Sequence, residues 1–157
     1  MHRSELEIKD AAKIKSFLQR CDVVRLAVNT EAAPYIVPLN YGFDYEENAG
    51  SLVFYFHGAA HGLKLDLMQK DPNVGFELDN FIELKEADQA CNFSTKYESI
   101  VGNGSILFIE DKEKKKECLD KIMRKQTGKE SWQYGEEALK RIVTFKLIVD
   151  TFSMKGN

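Results

Sequence analysis

The chain has few of the cysteines that mark secreted or zinc-binding proteins. Its 157 residues contain three, Cys21, Cys91 and Cys118. The number is odd and the spacing is wide, so these residues form neither a disulfide framework nor a metal-ligand pattern. Free thiols fit a reducing compartment. We therefore expect a cytoplasmic protein without a metal site.

Long apolar runs and a strong charge of either sign are also missing. The first seven residues are charged and lack the apolar core of a signal peptide, and no run approaches membrane-spanning length. A net charge of -3 and a pI near 5.7 give no broad attraction to nucleic acid or anionic lipid. The one basic run, residues 112–116, is interrupted and flanked by acidic residues, which is typical of a solvated helix face. We expect neither nucleic acid nor a membrane as a partner.

Neither common glycine motif for nucleotides is present. A P-loop has four residues between its glycines and continues Gly-Lys-Ser/Thr. Here three residues separate Gly58 from Gly62, and Leu63 intervenes before Lys64. No GxGxxG pattern occurs either. A triphosphate loop and a dinucleotide-binding fold are both excluded.

The patterns that are present predict one α+β domain, mainly β, over residues 1–157. With 43% hydrophobic residues the chain can bury one hydrophobic core, and it is too short to form two domains of typical size. Helical spacing after the N-cap residue Asp10 predicts a helix over 10–20, and further helices are expected at 61–70, 111–126 and 136–139. Strand patterns cover 23–29, 35–43, 51–57, 73–79, 97–109 and 141–151. Such short, mostly antiparallel strands favour a small barrel.

The segment from His57 to Lys64 is the most informative one. An aromatic strand leads there into a loop of small residues, and a helix begins with Lys64 in its first turn. Exposed backbone N–H groups, the positive end of a helix and a lysine together suit a phosphate. The alternative is an ordinary strand-to-helix connection with a solvated lysine.

Three strand features each allow two interpretations. Arg25 lies between apolar residues and needs an anionic partner, either a carboxylate of the fold or a cofactor phosphate. Pro38 interrupts strand pairing, which either protects a sheet edge or leaves main-chain groups for a planar polar ring. Gly102 and Gly104 share one face of a strand, where they either relieve curvature or let a flat ligand approach the backbone.

Several segments, taken in order and spacing, resemble one known family from about residue 5 to residue 155. They are Val24-Arg25-Leu26-Ala27, Pro34 to Gly42, Phe54 to His57 followed by Gly62 and Lys64, Ala90-Cys91, and Tyr97 to Gly102. The chain resembles the Nim (nitroimidazole-resistance-related) group of the pyridoxamine 5'-phosphate oxidase-like superfamily. The resemblance implies a six-stranded antiparallel split β-barrel with peripheral helices, which forms a homodimer with FMN at the interface.

The same resemblance implies a cofactor site. The phosphate would contact Arg25, Lys64 and the backbone of residues 58–62, with His61 or a residue of the partner subunit as a further contact. The main chain of residues 37–41 would meet the isoalloxazine edge, residues 55–57 would line the ring and ribityl chain, and residues 99–102 would close the site. The expected FMN-binding residues are Arg25, Val37, Pro38, Leu39, Asn40, Tyr41, Tyr55, Phe56, His57, Gly58, Ala59, His61, Gly62, Lys64, Ser99 and Gly102.

Departures from the family pattern qualify what is expected of the cofactor and the reaction. Gly58 replaces a hydroxyl residue and Leu63 a second basic residue that relatives often carry, so FMN affinity is expected to be modest. The C-terminal tryptophan, arginine and proline segment with which pyridoxamine-phosphate oxidases bind their substrate is absent. Oxidation of a phosphorylated pyridine is therefore only an alternative.

The resemblance favours an FMN-dependent oxidoreductase that passes electrons from a nicotinamide or other donor to a small flat acceptor, such as a nitroaromatic compound. His57 is the candidate catalytic residue, because histidine exchanges protons near neutral pH, although a structural hydrogen-bonding role is also open. A non-enzymatic flavin or haem binder, with His57 or His61 as axial ligand, is the other class. Trp132 is expected to be a packing anchor or a lid, and Cys91 to be buried.

Overall fold

An antiparallel sheet with helices on its periphery forms the body of the structure, a computed structural model that describes residues 4–157. The strands are β1 Glu7–Ile8, β2 Val24–Val28, β3 Tyr35–Leu39, β4 Gly42–Glu46, β5 Ser51–Ala59, β6 Asn73–Lys85, β7 Ser94–Ile109 and β8 Ile142–Gly156. The helices are α1 Ala11–Arg20, α2 Leu63–Lys70, α3 Lys112–Thr127 and α4 Glu136–Arg141, with short 3-10 turns at Ser4–Leu6 and Ala90–Asn92.

The order of the strands explains the barrel-like curvature. They run β3-β2-β6-β7-β8-β5-β4, with β1 paired to β8. Since β3 and β4 are consecutive in the chain yet lie at opposite edges of the sheet, the sheet must curl until its edges meet at Asn40 and Tyr41. The described ladders do not close across this split. The expected split barrel with peripheral helices is confirmed, with eight strands among residues 4–157 in place of six.

Tyr41 is the reason that the predicted strand 35–43 divides into two. Its side chain turns into the core, where the single hydroxyl proton has two acceptors within reach, the carbonyl oxygens of Leu18 at 2.7 Å and Cys21 at 2.8 Å. A buried hydroxyl with two such partners fixes the chain direction at this point, because leaving it unsatisfied would cost roughly 1–3 kcal/mol. The break therefore ties the split of the barrel to the end of α1.

Two apolar clusters hold the helices to the sheet. The inward residues of the strands, among them Leu26, Phe54 and Phe145, form the main core together with the apolar face of α1. A second cluster lies on the outer side of β5 and β8, where Cys118, Leu119 and Ile122 of α3 meet Leu139 of α4. The expected N-cap Asp10 begins α1, and Asp111, at the start of the predicted range 111–126, caps α3. Within the described residues, the helices lack the length and apolarity needed to cross a bilayer.

Gly102 and Gly104 lie at an irregularity in the pairing of β7 with β8. The pairing of β7 with β8 shifts register between Asn103 and Gly104. A Cβ added to Gly102 would lie 2.4 Å from the carbonyl oxygen of Thr151 and 2.7 Å from the Phe76 ring. The structure thus supports the interpretation that these glycines relieve curvature, since protein atoms already fill the space beside Gly102.

A two-stranded arm extends beyond the sheet. From residue 80 to residue 97, β6 and β7 pair almost entirely with each other, with a register shift between Phe81 and Glu83. The arm was not expected in full, because that shift breaks the alternating pattern after Asp79. Its exposed apolar side chains include Phe81, which is 65% exposed, Leu84 and Phe93.

Candidate functional site

The loop between β5 and α2 has the features of an anion site. Gly62, the N-cap of α2, has φ 145° and ψ 164°, a conformation that side chains rarely allow. This is why α2 begins at Leu63 and not at the expected residue 61. The carbonyl of Gly62 accepts from Leu65 at 3.1 Å and Asp66 at 3.3 Å. The N–H groups of Leu63 and Lys64 make no hydrogen bond to the described residues, so they are available to a ligand at the positive end of the helix.

Lys64 brings a positive charge to the same place. A Cβ built on Gly58 would lie 3.4 Å from Cε and 3.6 Å from Nζ of Lys64, so the lysine lies directly over the bare backbone of the strand end. The side chain is half-buried, and within the described part of the chain it forms no ion pair. An ammonium group without a counter-ion, next to unsatisfied N–H groups, is what a phosphate binds.

Arg25 lies in a different environment. Its Nη1 donates to Glu77 at 3.0 Å and to Asp79 at 2.7 Å, and these bonds raise the pKa of the guanidinium. Burial and the neighbouring Asp79 raise the pKa of the Glu77 carboxyl. Of the two partners considered for Arg25, the carboxylates are the ones that the fold supplies. Its charge is therefore already matched.

The segment around Pro38 lies at the free edge of the sheet. Val37 and Tyr41 are buried in the core, Leu39 packs partly against it, and Pro38 and Asn40 are exposed. The Asn40 amide donates to the carbonyl oxygen of Asp22 at 3.0 Å. Because β3 has only β2 as a neighbour, its outer main-chain groups are unpaired in the described chain. Buried Val37 and Tyr41 could reach a ligand through main-chain atoms only.

Residues 55–57 divide between the two faces of β5. Phe56 is fully buried, so its side chain belongs to the core. Tyr55 is half-buried on the outer face, where its hydroxyl donates to Asp44 at 2.9 Å, and burial followed by this bond raises its pKa. Asp44 also accepts from Lys121 at 2.8 Å. His57 is exposed, makes no hydrogen bond to the described residues, and lines a cleft of about 330 Å³.

The remaining expected residues lie apart from this loop or at its surface. Ala59 and His61 are exposed beside Gly58, whereas Ser99 is half-buried opposite Asp79 on the outer face of the sheet. Continuing the pairing of Gly42 with Tyr55 would set Asn40 opposite His57. The fold therefore gathers residues 57–64 at the end of β5 and the start of α2. It separately places Arg25 of β2, Pro38 of β3 and Ser99 of β7 on the outer face of the sheet.

Cys91 and Trp132 both lie at the surface. Cys91 is exposed in the 3-10 turn Ala90–Asn92, so the expectation of a buried packing role was wrong; the turn lies outside the hydrophobic clusters. Trp132 is exposed, and its indole N–H donates to the carbonyl oxygen of Lys129 at 3.1 Å. From residue 4 onward, no group of three or more histidine, cysteine, aspartate or glutamate side chains is placed to hold a metal ion.

Comparisons with known proteins agree with this architecture. The model of the pyridoxamine 5'-phosphate oxidase family matches residues 10–155. The chain belongs to this family. A search of curated protein sequences finds no significant match.

Solved structures extend the family assignment. A candidate 5-nitroimidazole antibiotic resistance protein from Bacteroides thetaiotaomicron is 30% identical, with a TM-score of 0.79 over 96% of this chain and 86% of that one. The flavocytochrome Anf3 from Azotobacter vinelandii is 18% identical, with a TM-score of 0.79 over 100% and 72% of the two chains. A FAD and haem binding protein from Mycobacterium smegmatis is 16% identical, with a TM-score of 0.81 over 96% and 73%. The last two show a shared fold only, while the first supports the expected resemblance to the Nim group.

Within this member of the pyridoxamine 5'-phosphate oxidase family, the cleft beside His57 is the feature that sequence reasoning missed. The sequence predicts the helix over 111–126, but the connection that faces it, with Gln133 and Tyr134, carries no motif. The length of the polar connection between α3 and α4 was a signal that could have indicated the cleft. Its positive-φ residue Ser131 also marks a fixed turn, although only the structure reveals it.

Proposed function

We propose that this protein is an FMN-dependent oxidoreductase that passes electrons to a small flat acceptor. The observation that carries the proposal is the position of Lys64, a first-turn residue of α2 whose ammonium group lies over Gly58. These groups fit the phosphate of FMN, because each supplies a donor or a positive charge, and Lys64 forms no ion pair among the described residues although Asp66 lies in the same turn. The family favours a flavin as the ligand. The names of two structural neighbours, a flavocytochrome and a FAD and haem binding protein, favour it as well.

The phosphate site would contain few side chains that can neutralise a phosphate. Lys64 supplies one full charge against a phosphate dianion, and Gly58 and Leu63 add no side-chain donor or charge. Arg25 is a weaker contact, since it would have to give up Glu77 or Asp79 to bind the phosphate. We therefore expect FMN to bind reversibly and to be lost partly during purification.

The protein would orient the flavin and control protons around it. When bound, FMN would supply the transfer of two electrons between donor and acceptor. The unpaired edge of β3 around Pro38 suits the polar edge of the isoalloxazine ring, since main-chain groups there lack strand partners. His57 would hold or release a proton at its imidazole beside the ring. A nitro compound is a reasonable acceptor because the 30% identical relative is a candidate 5-nitroimidazole resistance protein.

The exposed arm supports the proposed homodimer. A two-stranded ribbon is at most marginally stable in water by itself, yet this one projects from the sheet with Phe81, Leu84 and Phe93 exposed. The outer face of the sheet is also apolar in part, at Ile36 and Val101. A second copy of the chain could cover both surfaces. The FMN site would then lie beside the interface and exclude water more fully than one chain can.

Titration of the flavin-free protein with FMN tests the phosphate site. Lys64→Met should weaken binding roughly 10- to 100-fold, the cost of losing one charge-assisted contact. Lys70→Met is the matched control, because Lys70 is exposed at the other end of the same helix, where its partner is Glu31. Arg25→Met should lose less affinity than Lys64→Met. Equal affinities of the Lys64 and Lys70 variants would refute the assignment.

Turnover distinguishes an enzyme from a binder. The flavin-loaded protein should be reduced by NADH or NADPH and reoxidised by an added nitroaromatic compound. A flavin that binds but does not turn over with either nucleotide would favour a storage or sensing role. A haem spectrum that depends on His57, together with no FMN binding, would replace the flavin assignment.

A further inference from the structure

A positively charged cleft lies at the split of the barrel, where the edge strand β4 meets the helices α1 and α3. Its volume is about 250 Å³, below the roughly 300–1,000 Å³ of sites for drug-sized ligands, so an occupant must be small. The lining residues of this split cleft are Lys15, Gln19, Phe43, Asp44, Tyr45, Lys121, Arg124 and Lys125. The one acidic residue among them, Asp44, is paired with Lys121 at 2.8 Å, so three cations of the lining remain.

Lys125 is the buried member of the split cleft. Its side chain is only 4% exposed, and its ammonium group lies 4.7 Å from the centre of the Tyr41 ring. The Asp22 carboxylate is 3.8 Å away, which is too far for a hydrogen bond. Among residues 4–157, no fully enclosed side-chain nitrogen lacks a hydrogen-bond partner, so the Lys125 nitrogen must open onto the cleft. Burial lowers the pKa of this ammonium group, and an anion in the cleft would offset that effect.

The helix dipole does not account for this arrangement. Arg124 and Lys125 lie in the last turn of α3, where a cation is favourable at the surface. That preference gives no reason to bury Lys125, and it does not concern Lys15, which comes from α1. Lys15 lies 3.5 Å from Glu47 and Arg124 lies 2.8 Å from Glu130, and all four side chains are more than two-fifths exposed. Exposed pairs of this kind contribute little to stability, so both cations can turn toward a bound anion.

We propose that the split cleft binds a small dianion, either inorganic phosphate or the phosphate group of a small ester. Lys125, Lys15 and Arg124 would share its two negative charges, and the planar guanidinium of Arg124 matches two phosphate oxygens. Because β4 has only β5 as a strand partner in the described chain, main-chain N–H groups on its other edge can add neutral donors. The bound anion would bridge α1 and α3 across the split. The cleft shares no residue with the expected FMN site, so the inference does not require flavin.

NMR of lysine labelled with ¹³C at Cε tests the binding directly in the full chain. The Lys125 signal is identified by its loss in Lys125→Met. At about pH 8, where phosphate is mainly a dianion, inorganic phosphate and glycerol 3-phosphate should each shift this signal at constant ionic strength. Acetate should bind at least about tenfold more weakly, because one negative charge meets the same three cations. Tighter binding of glycerol 3-phosphate supports an ester as the ligand, and tighter binding of inorganic phosphate supports the free ion.

Calorimetric titration of variants with inorganic phosphate locates the site. Lys125→Met should weaken binding by about tenfold or more, and Arg124→Gln and Lys15→Gln by about three- to tenfold each. Lys116→Met is the matched control, because Lys116 lies on α3 outside the cleft, beside exposed Glu113. Since Arg124 and Lys15 are exposed, their variants keep the test independent of any loss of folding in Lys125→Met. Phosphate should also raise the melting temperature of the wild type and not that of Lys125→Met.

The outcomes separate this inference from the flavin proposal. A Lys125 signal that neither phosphate compound moves would overturn the inference, as would equal affinities of the cleft variants and Lys116→Met. Phosphate binding that is lost in Lys64→Met and kept in Lys125→Met would place the anion at the start of α2 and overturn it as well. If Lys64→Met has no effect on FMN binding while phosphate still shifts the Lys125 signal, the flavin proposal fails and the split cleft remains an anion site.

Discussion

Replacement of Gly102 by alanine should destabilise the protein much more than the same change at Gly75. The two glycines lie on neighbouring strands near one another, but their surroundings differ. At Gly102 the new methyl would meet the Thr151 carbonyl oxygen at 2.4 Å and the Phe76 ring at 2.7 Å. At Gly75 it would meet the Ala27 methyl at 3.7 Å and the Gly102 oxygen at 3.8 Å, which are ordinary contacts.

These distances set the expected free energies. Overpacking against a strand carbonyl should lower the free energy of unfolding by about 2–3 kcal/mol, near the top of the usual range. Gly75→Ala should be neutral or stabilise by up to about 1 kcal/mol, because alanine loses less backbone entropy in a strand. With a urea m-value of about 1–3 kcal/mol per molar, a gap of about 2–3 kcal/mol should separate the two midpoints by about 0.7–3 M.

Urea unfolding followed by circular dichroism, at one fixed protein concentration, measures this difference. A fixed concentration is needed because a dimer would make the midpoint depend on it. Equal midpoints for the two variants would show that the space beside Gly102 is open. The alternative interpretation, in which a flat ligand approaches this backbone, would then be favoured over curvature.

Three further predictions concern the interface, the thiols and acid stability. Phe81→Asp with Phe93→Asp should convert the proposed dimer to a monomer in sedimentation analysis, because both side chains are exposed on the arm; a dimer that persists would exclude the arm from the interface. Iodoacetamide at about pH 8 should label the folded protein once, at exposed Cys91, since burial raises the pKa of Cys118 to about 12. Hydrogen bonds from neighbouring amides lower the pKa of Asp71, so the stability it contributes is present above its ordinary pKa of 3.8 and is lost as the pH falls through the lowered value. Replacing Asp71 by Asn should therefore flatten the acid side of the stability curve, and an unchanged slope below about pH 4 would contradict this.

Local signals predicted the helices well because their causes are local. Asp10 accepts a hydrogen bond from the Lys13 N–H at 3.1 Å, as an N-cap should, and the expected start of that helix is correct within a residue. The end of α3 is set by Gly128, which adopts the left-handed conformation. In both cases a few neighbouring residues determine the geometry, so sequence alone is enough.

The division of strand 35–43 could not be predicted in the same way. Its alternating pattern continues through Asn40. The break depends on carbonyl groups, distant in sequence, that accept a hydrogen bond from the Tyr41 hydroxyl. Cys91 was misplaced for a related reason. Cysteine is usually buried, but the turn that carries this one lies next to the arm, away from both cores.

The contrast between Arg25 and Lys64 shows how the fold selects among charges that look alike in sequence. Both are cations flanked by apolar residues, and both suit a phosphate. On β6, Glu77 and Asp79 alternate with the buried residues Phe76 and Leu78. An outward residue on a strand paired with β6 therefore lies beside two carboxylates. The register that sets Arg25 opposite Glu77 neutralises it. Asp66 lies in the same turn as Lys64, but Lys64 forms no ion pair among the described residues, so its charge stays available at the helix end. Anion binding at this helix end should therefore depend chiefly on Lys64.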